Sequence, residues 1–259
     1  IPHREHRMPA LRRFQLLLTA LLLFAACGKQ TTQPEPASSH EQLLRVDYQE
    51  FTLWLDCSRR AAARFEYTLT KDQGNQKRHS QFYLDPAVPT NCQQTRTDSY
   101  QRYANERFDR GHLVPANHAD NSAKAIRQSN FMSNILPQAS NMNRGAWLKT
   151  EEIAECYRDI EPVTVIGGAI WGDNPRTHFI ASHGVETPDA FWKVLIREDR
   201  AIAWIIPNTA EATRKRLDQY LVSILELEEL TDETIPVDDW LKEESAEVSW
   251  MMPVGCDRG

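Results

Sequence analysis

Glycine is scarce in this chain, 10 residues in 259, which excludes a collagen-like fibre. The composition does not suggest a coiled coil or a wholly disordered chain. Hydrophobic residues make up 41%, enough to bury a full core in one large domain. Long apolar runs are also missing: the stretch 16–24 is too short for a comfortable transmembrane helix. Cysteine is sparse, five residues in all, and none stands at metal-site spacing, which argues against a zinc centre. Basic charge is in deficit, and a formal net charge of −6 by itself argues against a polyanion ligand.

That deficit is unevenly spread. Residues 45–150 carry 15 Lys and Arg against 10 Asp and Glu, a net of +5. Residues 151–259 carry 10 against 23, a net of −13. A phosphate backbone would therefore dock on the first half. The acidic end reads as a solubilising surface.

Residues 1–27 do not read as part of a fold. From Met8 the pattern is that of an export signal: Arg12 and Arg13, the apolar stretch, then Ala25-Ala26 before Cys27. Residues 1–7 read as an upstream or fragment artefact. Ala-Ala-Cys-Gly looks like a bacterial lipoprotein signal with Cys27 lipidated, and an ordinary signal peptide cleaved nearby is the alternative. The protein is then periplasmic, anchored at the outer membrane, or secreted. Residues 28–44, rich in Gln, Thr, Ser and Pro, read as a flexible linker. Export would place Cys57, Cys92, Cys156 and Cys256 in an oxidising compartment, where they allow two bridges in three connectivities.

The stretch Phe108-Asp109-Arg110-Gly111-His112-Leu113 carries the chemistry. In an extended segment, Arg110 and His112 share one face and Asp109 takes the other. The imidazole can accept a proton from water near neutral pH. The guanidinium can hold a phosphate oxygen through two parallel hydrogen bonds. Gly111 lets another element approach closely. Downstream stand Ser133-Asn134-Ile135-Leu136-Pro137-Gln138, then Asn141-Met142-Asn143-Arg144-Gly145-Ala146-Trp147, then Glu151.

This order and spacing, over about forty residues, resembles the DNA/RNA non-specific endonucleases, the sugar-non-specific nucleases of the ββα-metal class. Weaker echoes run from about Arg45 to about Leu221, among them Ser58-Arg59, Val165-Ile166-Gly167-Gly168 and Ile205-Ile206-Pro207-Asn208. The resemblance implies an α+β fold: a central, mostly antiparallel sheet flanked by helices, with a ββα-metal motif at the active site. It implies His112 as general base on the attacking water. Arg110 and Arg78 would stabilise charge on the phosphate, and Asn134 would help position the site. Asn143 is then the single protein ligand of a hydrated Mg2+, or Mn2+ or another divalent ion, with Glu151 holding one of its waters. DNA and RNA would both be substrates, cleaved with little sequence preference because backbone contacts carry little sequence information.

Alternation at residues 51–55 and 65–69, and the apolar runs 163–170, 191–196 and 201–206, read as strands. Residues 99–107 read as a short helix and 117–128 as a helix or loop. Residues 147–157 and 217–227 have helical spacing. If residues 143–151 were all helical, Asn143 and Glu151 would stand about 12 Å apart, at about 1.5 Å per residue. That favours a water-bridged Glu151. Asp109 reads as an anchor for the motif strand, and His118 as a solvated loop residue. The nuclease domain would span 45–222, with 223–259 an acidic extension. Two readings compete with the nuclease: a catalytically weak surface lipoprotein that binds nucleic acid, and a phosphodiesterase or toxin-like nuclease of narrower substrate range.

Overall fold

The computed structural model describes residues 43–258. The expected signal at 1–27, the Cys27 anchor and nearly all of the 28–44 linker lie outside the described residues.

A seven-stranded sheet forms the frame. Its strands are β1 (Leu44–Asp47), β2 (Thr52–Asp56), β3 (Ala61–Leu69), β6 (Val163–Ile170), β9 (Ala190–Arg197), β10 (Arg200–Pro207) and β11 (Leu221–Val222), adjacent in that order. Every neighbouring pair is antiparallel. Alternation along the strands sorts their side chains into two cores. Phe65, Val165, Phe191, Leu195 and Trp204 face one side. Ile166, Trp192, Val194 and Ala203 face the other, where Ile224, Leu227 and Ile235 cover them. The acidic segment after residue 222 thus contributes its apolar residues to the back of the sheet. Gly167 is fixed by this packing, since a Cβ there would stand 2.2 Å from the Phe65 ring.

The front face carries a second unit. Strands β4 (Phe108–His112) and β5 (Ile135–Ala139) pair antiparallel, with His112 opposite Ile135 and Arg110 opposite Pro137. Between them lie a 3-10 turn (Ala116–Ala119) and α1 (Ala123–Ser129), whose first turn is capped by Ser122. After β5 the chain enters one helical turn, α2 (Ser140–Met142), then a π turn (Asn143–Trp147), then α3 (Leu148–Arg158). Two strands followed by this helical run make a ββα unit. Its anchor is Trp147, fully buried and packed edge-on to Phe65 and tilted on Phe191. Truncating such a residue to Ala costs about 3–5 kcal/mol. Trp147 Nε1 also donates to the His112 carbonyl at 3.1 Å, tying helix to motif strand.

Two local expectations are corrected. Residues 99–107 form no helix: Tyr103 and Glu106 exchange backbone hydrogen bonds across a tight turn, with Ala104 at φ 50°. The helix expected at 217–227 is split. A 3-10 segment (Arg214–Tyr220) leads into β11, which pairs with β10 through Ala203 and Trp204. Ser223 then starts α5 (Ile224–Thr231), its hydroxyl accepting from Glu226 N while Glu226 bonds back to Ser223 N. That capping box fixes the helix start, and tertiary strand pairing takes the residues before it. The remaining elements are β7 (Arg176–Phe179), α4 (Ile180–His183), β8 (Val185–Thr187) and α6 (Asp239–Glu243).

Candidate active site

A cleft of about 480 Å³ opens where β4 meets the helical run. Arg78, Arg110, His112, Asn143 and Glu151 all line it. Strand β4 delivers the first two motif side chains. Arg110 and His112 point into the cleft from alternate positions, and Gly111 between them packs flat on Gln138. A Cβ at Gly111 would stand 2.2 Å from that side chain.

His112 is buried, and one ring nitrogen is spoken for: Nε2 lies 2.8 Å from Asn130 Oδ1. The Asn130 amide nitrogen donates to the carbonyls of His79 and Gln81, at 2.9 and 3.0 Å. Its oxygen must therefore face the imidazole and accept. That makes Nε2 the protonated nitrogen and leaves the lone pair on Nδ1. Burial pushes the His112 pKa down to about 4, and the cationic field of Arg78 and Arg110 works the same way against the Asn130 hydrogen bond. The ring is neutral at physiological pH.

Arg110 is held rigidly. Its Nη1 donates to the Thr97 carbonyl at 2.7 Å and its guanidinium stacks 4.0 Å from the Phe82 ring centre. Asp109 turns toward the π turn. It receives both Arg144 Nε and Nη2, at 2.8 and 2.9 Å, and Asn143 Nδ2 at 3.1 Å. Against the upward push of burial, these bonds hold Asp109 below the usual carboxylate range. With its nitrogen on Asp109, Asn143 has its amide oxygen left for another partner.

Glu151 lies about two turns along the same helical run. Burial pushes its pKa up to about 7, against the pull of Lys193 and Arg78. Lys193 lies beneath it, fully buried on β9. It donates to Thr150 Oγ1 at 2.8 Å and its Nζ sits 3.7 Å from the Trp147 ring centre. Burial in turn lowers Lys193 to about 8, with Glu151 opposing.

Among the described residues, no group of three or more His, Cys, Asp or Glu is placed to hold a metal ion. Asn143 offers an amide oxygen to the cleft and Glu151 a carboxylate. That set suits a hard cation that keeps most of its water, as Mg2+ does, and does not suit a zinc-type cage.

Asn134 is not a cleft residue. Its side chain is fully used on the backbone that follows β4: Oδ1 accepts from Val114 N, and Nδ2 donates to the carbonyls of Val114 and Ser129. It braces the exit of the motif strand. His118 is buried, not solvated. Its Nδ1 lies 2.8 Å from the Tyr67 hydroxyl and its Nε2 lies 3.1 Å from Glu155. Sequence reasoning missed Asn130 and Lys193. Asn130 carried no motif signal, and Lys193 looked like an ordinary polar position in a strand.

The fold and the cleft together describe an α+β protein with a ββα unit at its site. Residues 28–241 match the family described as DNA/RNA non-specific endonuclease, and the chain belongs to that family. It is 27% identical over 175 residues to human mitochondrial nuclease EXOG, covering 60% of this chain and 46% of that protein. It is 29% identical over 199 residues to a nuclease of Serratia marcescens, covering 70% and 71%. The chain thus spans about half the length of its EXOG relatives. Its fold is shared with a crystal structure of the EndoG/EndoGI complex, at a TM-score of 0.60 and 19% identity. That likeness covers 73% of this chain and 83% of the other.

Proposed function

We propose that this protein is an exported, metal-dependent endonuclease that hydrolyses phosphodiester bonds of DNA and RNA with little sequence preference. The observation that carries this is His112: a neutral imidazole, its tautomer set by Asn130, in one cleft with Arg78, Arg110, Asn143 and Glu151.

His112 Nδ1 accepts the proton of the water that attacks phosphorus. The cations that lower its pKa in the free protein are the ones a phosphate neutralises, so substrate binding raises its proton affinity when it is needed. Arg110, fixed by Thr97 and Phe82, and Arg78 stabilise the charge that builds on the non-bridging oxygens. Asn143 would hold a divalent cation through its amide oxygen, and Glu151 would orient the water around it. Asp109 keeps the Asn143 amide from turning. A cation there would supply Lewis-acid polarisation of the phosphate and would stabilise the leaving oxygen. Contacts to the phosphate backbone distinguish neither base nor sugar.

Two disulfides, Cys57–Cys92 and Cys156–Cys256, support export to an oxidising compartment. Within that reading Cys27 is the site of a lipid anchor. Incubating the purified protein with plasmid DNA and with total RNA tests the function. Both should be degraded in Mg2+ and spared in excess chelator. A folded protein that binds nucleic acid but cleaves none with any divalent ion would instead be a surface binding lipoprotein.

A further inference from the structure

The cleft holds one cation that belongs to no motif. Arg258 lines it beside Arg78, Arg110, Asn143, Arg144 and Glu151, although it lies 107 positions beyond Glu151 in the sequence. A covalent bond brings it there. Cys256 is bonded to Cys156 on α3, the same helix that carries Glu151. The residues around this bond are laid along that helix. Tyr157 donates to the Met251 carbonyl at 2.8 Å and packs edge-on against Trp250, and Cys156 Sγ sits 3.5 Å from the Asp257 carbonyl.

Charge makes this placement informative. The second half of the chain is strongly acidic, so a segment docked for electrostatic comfort would present a carboxylate to three arginines. The residue presented is instead a fourth cation beside Arg78, Arg110 and Arg144, which is unfavourable in the free protein. Asp120 and Glu151 also line the cleft, but among the described residues neither forms an ion pair with Arg258. Arg258 is exposed. A polyanion relieves the repulsion, and a guanidinium gathers phosphate oxygens in pairs.

We propose that Arg258 is a substrate-binding residue that contacts the nucleic-acid phosphate backbone flanking the scissile bond, and that the Cys156–Cys256 disulfide holds it over the cleft. The affinity for substrate is thereby tied to the oxidation of one bridge. The proposal rests on the nuclease reading above and adds a contact that lies outside the motif region.

The test is fluorescence anisotropy of a labelled single-stranded 16-mer with the protein in chelator, both disulfides formed, across a salt series. Arg258→Ala should weaken binding on the order of tenfold at low salt and make the slope of log K against log salt shallower by about 0.7. Arg258→Lys should keep the slope and most of the affinity. Cys256→Ser should weaken binding as much as Arg258→Ala, and the double variant no further, because the bond acts through the arginine. Near-UV circular dichroism checks that Cys256→Ser keeps the native packing. Wild-type affinity and slope in Arg258→Ala would overturn the proposal, as would tighter binding, which would make the segment an obstruction. A wild-type protein that neither binds the 16-mer nor cleaves nucleic acid in Mg2+ would instead remove the nuclease reading itself.

Discussion

His112 Nε2 donates to Asn130 Oδ1 at 2.8 Å, and the same asparagine donates to the carbonyls of His79 and Gln81. One side chain thus sets which imidazole nitrogen is basic and ties the loop before β4 to it. Asn130→Ala should slow cleavage on the order of a hundredfold, since a histidine in the wrong tautomer has no base to offer. It should also cost about 1 kcal/mol, because two part-buried carbonyls lose their donor. Cleavage kinetics beside urea denaturation measure both. A loss of stability with an unchanged rate would confine Asn130 to scaffolding.

Two groups in the cleft titrate in opposite directions. His112 falls from 6.5 to about 4 on folding. Its contribution to stability is therefore complete above about 6.5 and is lost as pH falls through 4. Glu151 rises from 4.5 to about 7, so its contribution is complete below about 4.5 and is lost as pH rises through 7. Glu151→Gln should accordingly raise the melting temperature at pH 8 in chelator and change it little at pH 4, while cleavage is lost. Thermal melts at the two pH values decide this. Equal shifts at both would detach Glu151 from the pH dependence.

Lys193 is the counter-charge beneath Glu151. Replacing it with Met leaves the packing volume and removes the pull that favours the carboxylate. The acid limb of the cleavage profile should move up by about one pH unit, with activity recovering toward pH 9. A loss of rate that is flat across pH would make Lys193 a packing residue only.

Asp109 acts through Asn143. Asp109→Asn should weaken divalent-ion affinity by about 10–100-fold, the usual effect of losing a partner behind a ligand. Stability should fall little, since Arg144, the other partner, is 61% exposed. Isothermal titration with Mn2+ reports the affinity. Unchanged affinity would mean that Asn143 orients itself.

Much of the frame was legible because it is local. The apolar runs at 163–170, 191–196 and 201–206 match β6, β9 and β10 closely, since two-faced burial demands continuous apolar sequence. The Asp-Arg-Gly-His strand was legible for a related reason: period-two alternation places Arg110 and His112 together whatever the rest of the chain does. Residues 99–107 and 217–227 misled because helical propensity there is weak. Strand pairing with β10 and the turn at Ala104 prevail over it.

The sequence alone determined which residues could do the chemistry: an imidazole and a guanidinium two positions apart, an amide and a carboxylate at helical spacing downstream, and a family pattern linking them. Only the tertiary structure decided how each is set for use. His112 became a neutral base with a defined lone pair because Asn130, eighteen residues away, has its nitrogen bound elsewhere. His118, which sequence placed in solvent, was turned inward by Tyr67 and Glu155. Lys193 and Arg258 reach the site across a sheet and across a disulfide. Local periodicity records which face of its own element a side chain takes, whereas tautomer, pKa and long-range charge depend on neighbours that the fold alone brings together.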